Sequence, residues 1–201
     1  MAIDTVIFDF GGVLIDWNPR HLFKKVFSDE QEMELFLKEI CTDDWNVEQD
    51  RGRLLKEGTA LLVEQYPEKA ELIRMYYDRW PEMLNGTIEG TVDILKTLKH
   101  RYKIYGLTNW SAETFPIALE RYDFFKLLDG IVVSGTEKLI KPGLEIFNLL
   151  IERFKINPQN AVFIDDNRKN IEAAKTLDFK TVHFENPLQL KQALTVLGVS
   201  L

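Results

Sequence analysis

Five short runs rich in β-branched and aromatic residues constrain this chain more than any other feature. They are TVIFD ending at Asp9, KIYGLTN at Asn109, GIVVS at Ser134, AVFID at Asp165 and KTVHF at Phe184. Runs of about five residues with little polar alternation read as strands buried on both faces, and such strands alternating with helices form a parallel sheet. The helices are legible between them. Thr91, Ile94, Leu95 and Leu98 recur at helical spacing, as do Ile146, Leu149, Leu150 and Phe154, and then Ile171, Ala174 and Leu177. The expected architecture is α/β, a doubly wound parallel sheet.

Residues 17–84 have a different texture, with no convincing strand. Leu22, Phe23 and Val26 mark one helix and Met33, Phe36, Leu37 and Ile40 a second; Leu54, Leu55, Leu61 and Leu62 suggest a third, and Leu72, Ile73, Tyr76 and Trp80 a fourth. Pro67 and Pro81 punctuate them. The expected division is a core of residues 1–16 and 85–201, with an all-helical unit, 17–84, inserted after the first strand. Helical spacing accounts for most of the aromatic residues of this unit as packing rather than as a sugar-stacking surface.

The chain has 201 residues, is 45% hydrophobic and carries a formal net charge of -7. An acidic balance argues against nucleic-acid or anionic-membrane partners, which are bound by clustered Lys and Arg. The opening MAIDTVIFDF lacks a basic lead and a cleavage-site pattern, and no apolar run approaches the roughly 20 residues of a membrane span. With Cys41 alone no internal disulfide forms, which fits a cytoplasmic protein. His21, His100 and His183 lie on separate elements without metal-ligand spacing.

Ligands of open α/β sheets bind beyond the carboxyl ends of the strands, so the residues that end each run carry the functional reading. These are Asp9, then Thr108 and Asn109, then Lys141 a short loop beyond the third strand, then Asp165 and Asp166. Carboxylates brought together repel unless a cation sits among them, and oxygen ligands favour a hard ion such as Mg²⁺. In that setting Asp9 can serve as both ligand and nucleophile toward an electron-poor phosphorus. Thr108 and Asn109, with the amides of a helix expected to start near Ser111, can cradle phosphoryl oxygens. Lys141 neutralises charge, and Pro142 is expected at a first helical position.

These segments, VIFDFGGVL, GLTNW, LIKPGLEIF and VFIDDNRKNIEAA, resemble the four ordered motifs of the haloacid dehalogenase-like hydrolase superfamily, with the helical insertion where that family places its cap. The resemblance covers essentially the whole chain. Within the superfamily the motif pattern is similar to α-D-glucose-1-phosphate phosphatase-like members. It implies a Rossmann-like five-stranded sheet in the order 5-4-1-2-3 and a cap that closes over a small phosphorylated substrate. It further implies an aspartyl-phosphate formed on Asp9, with Mg²⁺ held by Asp9, the Gly11 carbonyl and one or both of Asp165 and Asp166. Thr108 and Asn109 would bind the phosphoryl group and Lys141 would steady the charge.

One position departs from the family pattern. Most phosphatases of the superfamily carry an acid/base Asp two positions after the nucleophile, where this chain has Gly11. Asp16 and the pair Asp43 and Asp44 are candidate substitutes; a structural role suits Asp16 equally well, and it is not assigned. Two alternatives compete with a phosphatase: a metal-independent 2-haloacid dehalogenase, and a phosphate-binding module without turnover. The Asp165–Asp166 pair favours phosphate chemistry, because extra negative charge serves no purpose where a carboxylate substrate must bind.

Overall fold

The computed structural model describes residues 2–201. Along the chain, β1 (Thr5–Phe8) and β2 (Ile15–Trp17) lead into five helices, α1 (Arg20–Phe23), α2 (Glu30–Glu39), α3 (Asp43–Asp50), α4 (Leu55–Gln65) and α5 (Ala70–Asp78). The chain leaves them through β3 (Leu84–Thr87) and then α6 (Glu89–Leu98), β4 (Lys103–Thr108), α7 (Phe115–Arg121), β5 (Gly130–Val133) and α8 (Ser134–Glu137). It ends with α9 (Leu144–Phe154), β6 (Ala161–Asp165), α10 (Arg168–Thr176), β7 (Lys180–His183) and α11 (Pro187–Val196). Among the described residues no helix is long and apolar enough to cross a membrane.

The main sheet has the order β5-β4-β1-β6-β7, with every neighbouring pair parallel. Counted along the chain as core strands alone, this is the expected 5-4-1-2-3. Side-chain alternation divides the core in two, as a period of two residues requires. Val6, Phe8, Ile104, Val162 and Ile164 face one apolar cluster, whereas Ile7, Tyr105, Leu107 and Phe163 face another that includes Ile146, Phe147 and Leu150 of α9. Helices therefore cover both faces of the sheet. The chain runs from β1 to β4 and β5 on one side, then crosses back to β6 on the other. The switch point thus falls between β1 and β6, where such sheets open a crevice beyond the strand ends.

Gly106, in the middle of β4, is explained by its neighbour across the sheet. A Cβ there would collide with the ring of Phe10, which fills the space and packs edge-on against Phe125 at 5.0 Å. The residue just past the nucleophile candidate is thereby anchored in the core.

Between β1 and β4 the structure adds two features to the sequence reading. Strands β2 and β3 form an antiparallel ribbon, Ile15 opposite Thr87 and Trp17 opposite Leu84, that carries the chain into and out of the helical insertion. The insertion also contains α3, Asp43–Asp50, which none of the four helices expected from apolar spacing covers. Its start follows from capping: the Thr42 hydroxyl accepts from the Trp45 N–H at 3.0 Å, and Asp43 and Asp44 occupy the first turn. Phe23, Phe27, Phe36, Trp45, Tyr76, Tyr77 and Trp80 form a continuous aromatic cluster inside the insertion.

Candidate active site

The strand ends converge. Asp9 leaves β1 with its N–H on the Ile164 carbonyl of β6 at 2.9 Å, which fixes it beside Asp165. Its Oδ1 accepts from the Phe10 N–H at 2.7 Å and faces Lys141 Nζ at 3.1 Å. The chain then turns at Gly12, whose φ of +74° suits glycine, and whose place a Cβ could not take without striking the Asp166 carboxylate. Val13, Leu14 and Ile15 close the turn by donating to the Phe10 carbonyl.

Lys141 is the centre of the arrangement. Its side chain is fully buried, and Nζ donates to Asp165 Oδ2 at 2.6 Å and to the Leu107 carbonyl at 2.9 Å while it pairs with Asp9. Burial works against its charge, but Asp165 and Asp9 more than offset this, and its pKa lies above that of an ordinary lysine. Asp165 is saturated: Oδ1 accepts from the Asn167 N–H and Asn170 Nδ2, and Oδ2 from Asn170 Nδ2 and Lys141. Asp166 is the most exposed carboxylate of the three, and partial burial and the neighbouring Asp165 raise its pKa.

Oxygens of Asp9, Asp165 and Asp166 lie within 4.8 Å of one another. Burial pushes the Asp9 carboxyl up to about 7, the two other carboxylates add to the rise, and Lys141 opposes it. One lysine does not neutralise three carboxylates, so the donor set, all oxygen and short of positive charge, fits a hard divalent cation.

Thr108 ends β4 and is buried, and Asn109 follows it. The Asn109 side chain spans to the Lys141 loop, donating Nδ2 to the Lys141 carbonyl at 3.0 Å and accepting the Lys141 N–H on Oδ1 at 2.9 Å. It is a clamp that positions the lysine, a role sequence reading did not foresee. Two local expectations are corrected. Helix α7 starts at Phe115 rather than near Ser111, because the Ser111 hydroxyl accepts from the Glu113 N–H and forms a turn there. Pro142 is not a first helical residue: α9 begins at Leu144, after Gly143.

Asp16 lies apart from this cluster. It ties the ribbon to α1, accepting from Asn85 Nδ2 at 2.8 Å and contacting His21 Nε2 at 3.0 Å. Burial alone would raise its pKa, but Asn85 and His21 more than offset that and hold it below the ordinary carboxylate value. An ionised, outward-facing acid is a poor proton donor. Asp16→Asn is expected to keep kcat/KM within about threefold of wild type in a steady-state assay; a loss of orders of magnitude with an unchanged melting curve would make Asp16 catalytic.

A family model described as haloacid dehalogenase-like hydrolase matches residues 6–184. Drimenol cyclase drtB of Aspergillus calidoustus is 25% identical over 201 residues, which cover 96% of this chain but 36% of that protein, so the chain spans about a third of this relative's length. D-ribitol-5-phosphate phosphatase of Bacteroides thetaiotaomicron is 24% identical over 214 residues, 97% of this chain and 98% of that one. A solved HAD family enzyme of the same organism, in complex with magnesium and inorganic phosphate, superposes with a TM-score of 0.69 at 21% identity, covering 92% of this chain and 96% of that chain.

Proposed function

The chain belongs to the haloacid dehalogenase-like hydrolase family, and on that premise we propose that it is a Mg²⁺-dependent phosphatase acting through an aspartyl-phosphate on a small phosphate ester, with a sugar or polyol phosphate the favoured class. The observation that carries this reading is the gathering of three carboxylates at the sheet's switch point, two of them, Asp9 and Asp165, paired with one buried lysine.

In this reading Asp9 attacks phosphorus, and its second partner, the Phe10 N–H, holds one carboxylate oxygen so that the other faces the substrate. Lys141 lowers the charge that Asp9 and the phosphoryl oxygens would otherwise feel, and Asn109 fixes the loop from which it reaches in. The Thr108 hydroxyl and the Asn109 backbone N–H bind phosphoryl oxygens, since the Asn109 side chain is already engaged. A divalent ion held by Asp9, the Gly11 carbonyl and the Asp165–Asp166 pair would neutralise phosphoryl oxygens and align them for attack. Asp165 accepts four hydrogen bonds from protein donors, which supports Asp166 as the carboxylate with lone pairs to spare for that ion. Residues 17–84 act as a cap, with 1–16 and 85–201 as the core. The ribbon is the hinge through which the cap excludes water during transfer.

Similarity to a D-ribitol-5-phosphate phosphatase along nearly its full length supports the substrate class. The test is a panel of sugar, polyol and acyl phosphates assayed with Mg²⁺ and with a chelator, beside halide release from 2-chloropropionate. Phosphate release that the chelator abolishes is expected. Chelator-insensitive halide release would instead assign a dehalogenase, and tight ester binding without turnover a binding module.

A further inference from the structure

Helix α3 buries the wrong kind of face for a packing helix. Asn46, Gln49 and Asp50 point inward, and burying polar groups is unfavourable unless each finds a partner. They do, in a directed chain: Arg53 Nε donates to Gln49 Oε1, Gln49 Nε2 to Tyr77 Oη, Tyr77 Oη to Asn46 Oδ1, and Asn46 Nδ2 to Asp50 Oδ2 at 3.3 Å. Asp50 also anchors this helix to the core, because its carbonyl accepts from the Ser134 hydroxyl at 2.6 Å, whose oxygen in turn accepts the Trp110 N–H at 2.9 Å.

The chain of donors ends at a cavity of about 70 Å³ bounded by Asp50 and Asn46 from the insertion, by Trp17 and Trp80, and by Gly11 and Asn109 from the core. Trp17 and Trp80 help wall the cavity, and each carries a buried indole N–H without a hydrogen-bond partner. At about 30 Å³ per water, the space admits a leaving group of a few heavy atoms. Gly11 contributes no side chain here, and Asp50 is the titratable group among the residues that bound the cavity.

We propose that this cavity receives the alcohol portion of a small, oxygen-rich phosphate ester and that Asp50 is the catalytic acid that protonates its leaving oxygen. The inference rests on the phosphatase reading above and adds the group that serves where Gly11 leaves a gap. As the bond from Asp9 to phosphorus forms and the ester P–O bond breaks, the Asp50 proton passes to the departing oxygen and releases a neutral alcohol. In the second half, water attacks the aspartyl-phosphate and its proton leaves with the phosphate, which frees Asp9, and Asp50 regains its proton from solvent as that phosphate is released. Burial pushes the Asp50 carboxyl up to about 7 against the opposing pull of the Ser111 backbone N–H, so it is partly protonated at neutral pH. The titratable groups facing it are Tyr76 and Tyr77 of α5, both held neutral by burial. Asp43 and Asp44 sit a helix length away in the first turn of α3 and do not bound the cavity.

The test compares glycerol phosphate, whose alkoxide needs a proton, with acetyl phosphate, whose carboxylate leaves without one. Asp50→Asn is expected to lower kcat on glycerol phosphate by about 10²–10⁴-fold and to leave kcat on acetyl phosphate within about threefold. Acetyl phosphate turnover by the variant also reports an intact site. Should Asp50→Asn not fold, the wild-type pH profile decides: kcat on glycerol phosphate is expected to fall above pH of about 7 while that on acetyl phosphate does not. Equal losses on both substrates, equal pH profiles, or acetyl phosphate turnover by a wild type inert toward glycerol phosphate would overturn the role of Asp50 and leave the phosphatase reading standing. A wild type that releases phosphate from neither would overturn both.

Discussion

Replacing Asp9 with asparagine is expected to lower kcat for phosphate esters by at least about 10⁴-fold, the size of loss that follows removal of an attacking group. The fold should survive, and the sign of the stability change tells a lost nucleophile from a damaged protein. Without a metal ion, burial pushes the Asp9 carboxyl up to about 7 from the ordinary 3.8. The folded state therefore holds the proton more tightly than the unfolded one, and Asp9 erodes stability progressively as pH rises from about 4 to about 7. Asparagine removes that penalty. The variant should melt several degrees above wild type at pH 8 in chelator, with the gap closing near pH 4. A variant that is inactive and also melts lower at pH 8 would mean that Asp9 matters for structure first.

Lys141→Met is expected to produce the largest loss of stability of any single change in the site. Nζ has three partners in a fully buried setting, and its removal leaves Asp9 and Asp165 facing each other without compensation. Breaking a buried pair in this way costs about 3–5 kcal/mol, which for a chain of this size lowers Tm on the order of 10 °C. The direction with pH is opposite to that of a surface ion pair. Asp9 already lies at about 7 with Lys141 opposing the rise and moves higher without it, so acid neutralises the stranded Asp9 and the deficit relative to wild type should shrink as pH falls below about 7, as thermal melts across pH would reveal. A uniform deficit at all pH values would point to lost packing over Phe163, which lies 5.5 Å below Nζ, rather than to charge.

The core was legible because its five strands are short, apolar and separated by helices, and because strand ends in such sheets are where ligands bind. Asp9, Lys141, Asp165 and Asp166 could be grouped on that ground alone, and the structure brings them together. What escaped was whatever lacks a hydrophobic period. Helix α3 escaped because its buried face is polar, so the residues that would mark an amphipathic helix are Asn46, Gln49 and Asp50; the Thr42 cap followed by two acids was the available signal. The ribbon escaped because its strands are only three and four residues long and LNGT reads as a turn. The Asn109 clamp on Lys141 joins segments 32 residues apart, a pairing no local pattern announces. Gly106 was readable as an interruption of a strand, but its reason, the Phe10 ring, lies on another strand's extension.

The central claim is that Asp9 itself becomes phosphorylated. Rapid acid quench of a reaction with radiolabelled phosphate ester and Mg²⁺, followed by peptide mapping, measures this directly. The account predicts a hydroxylamine-sensitive label on the peptide carrying Asp9, absent in chelator and in Asp9→Asn. Label on any other residue, or an Asp9→Asn variant that still turns over at the wild-type rate, would contradict it.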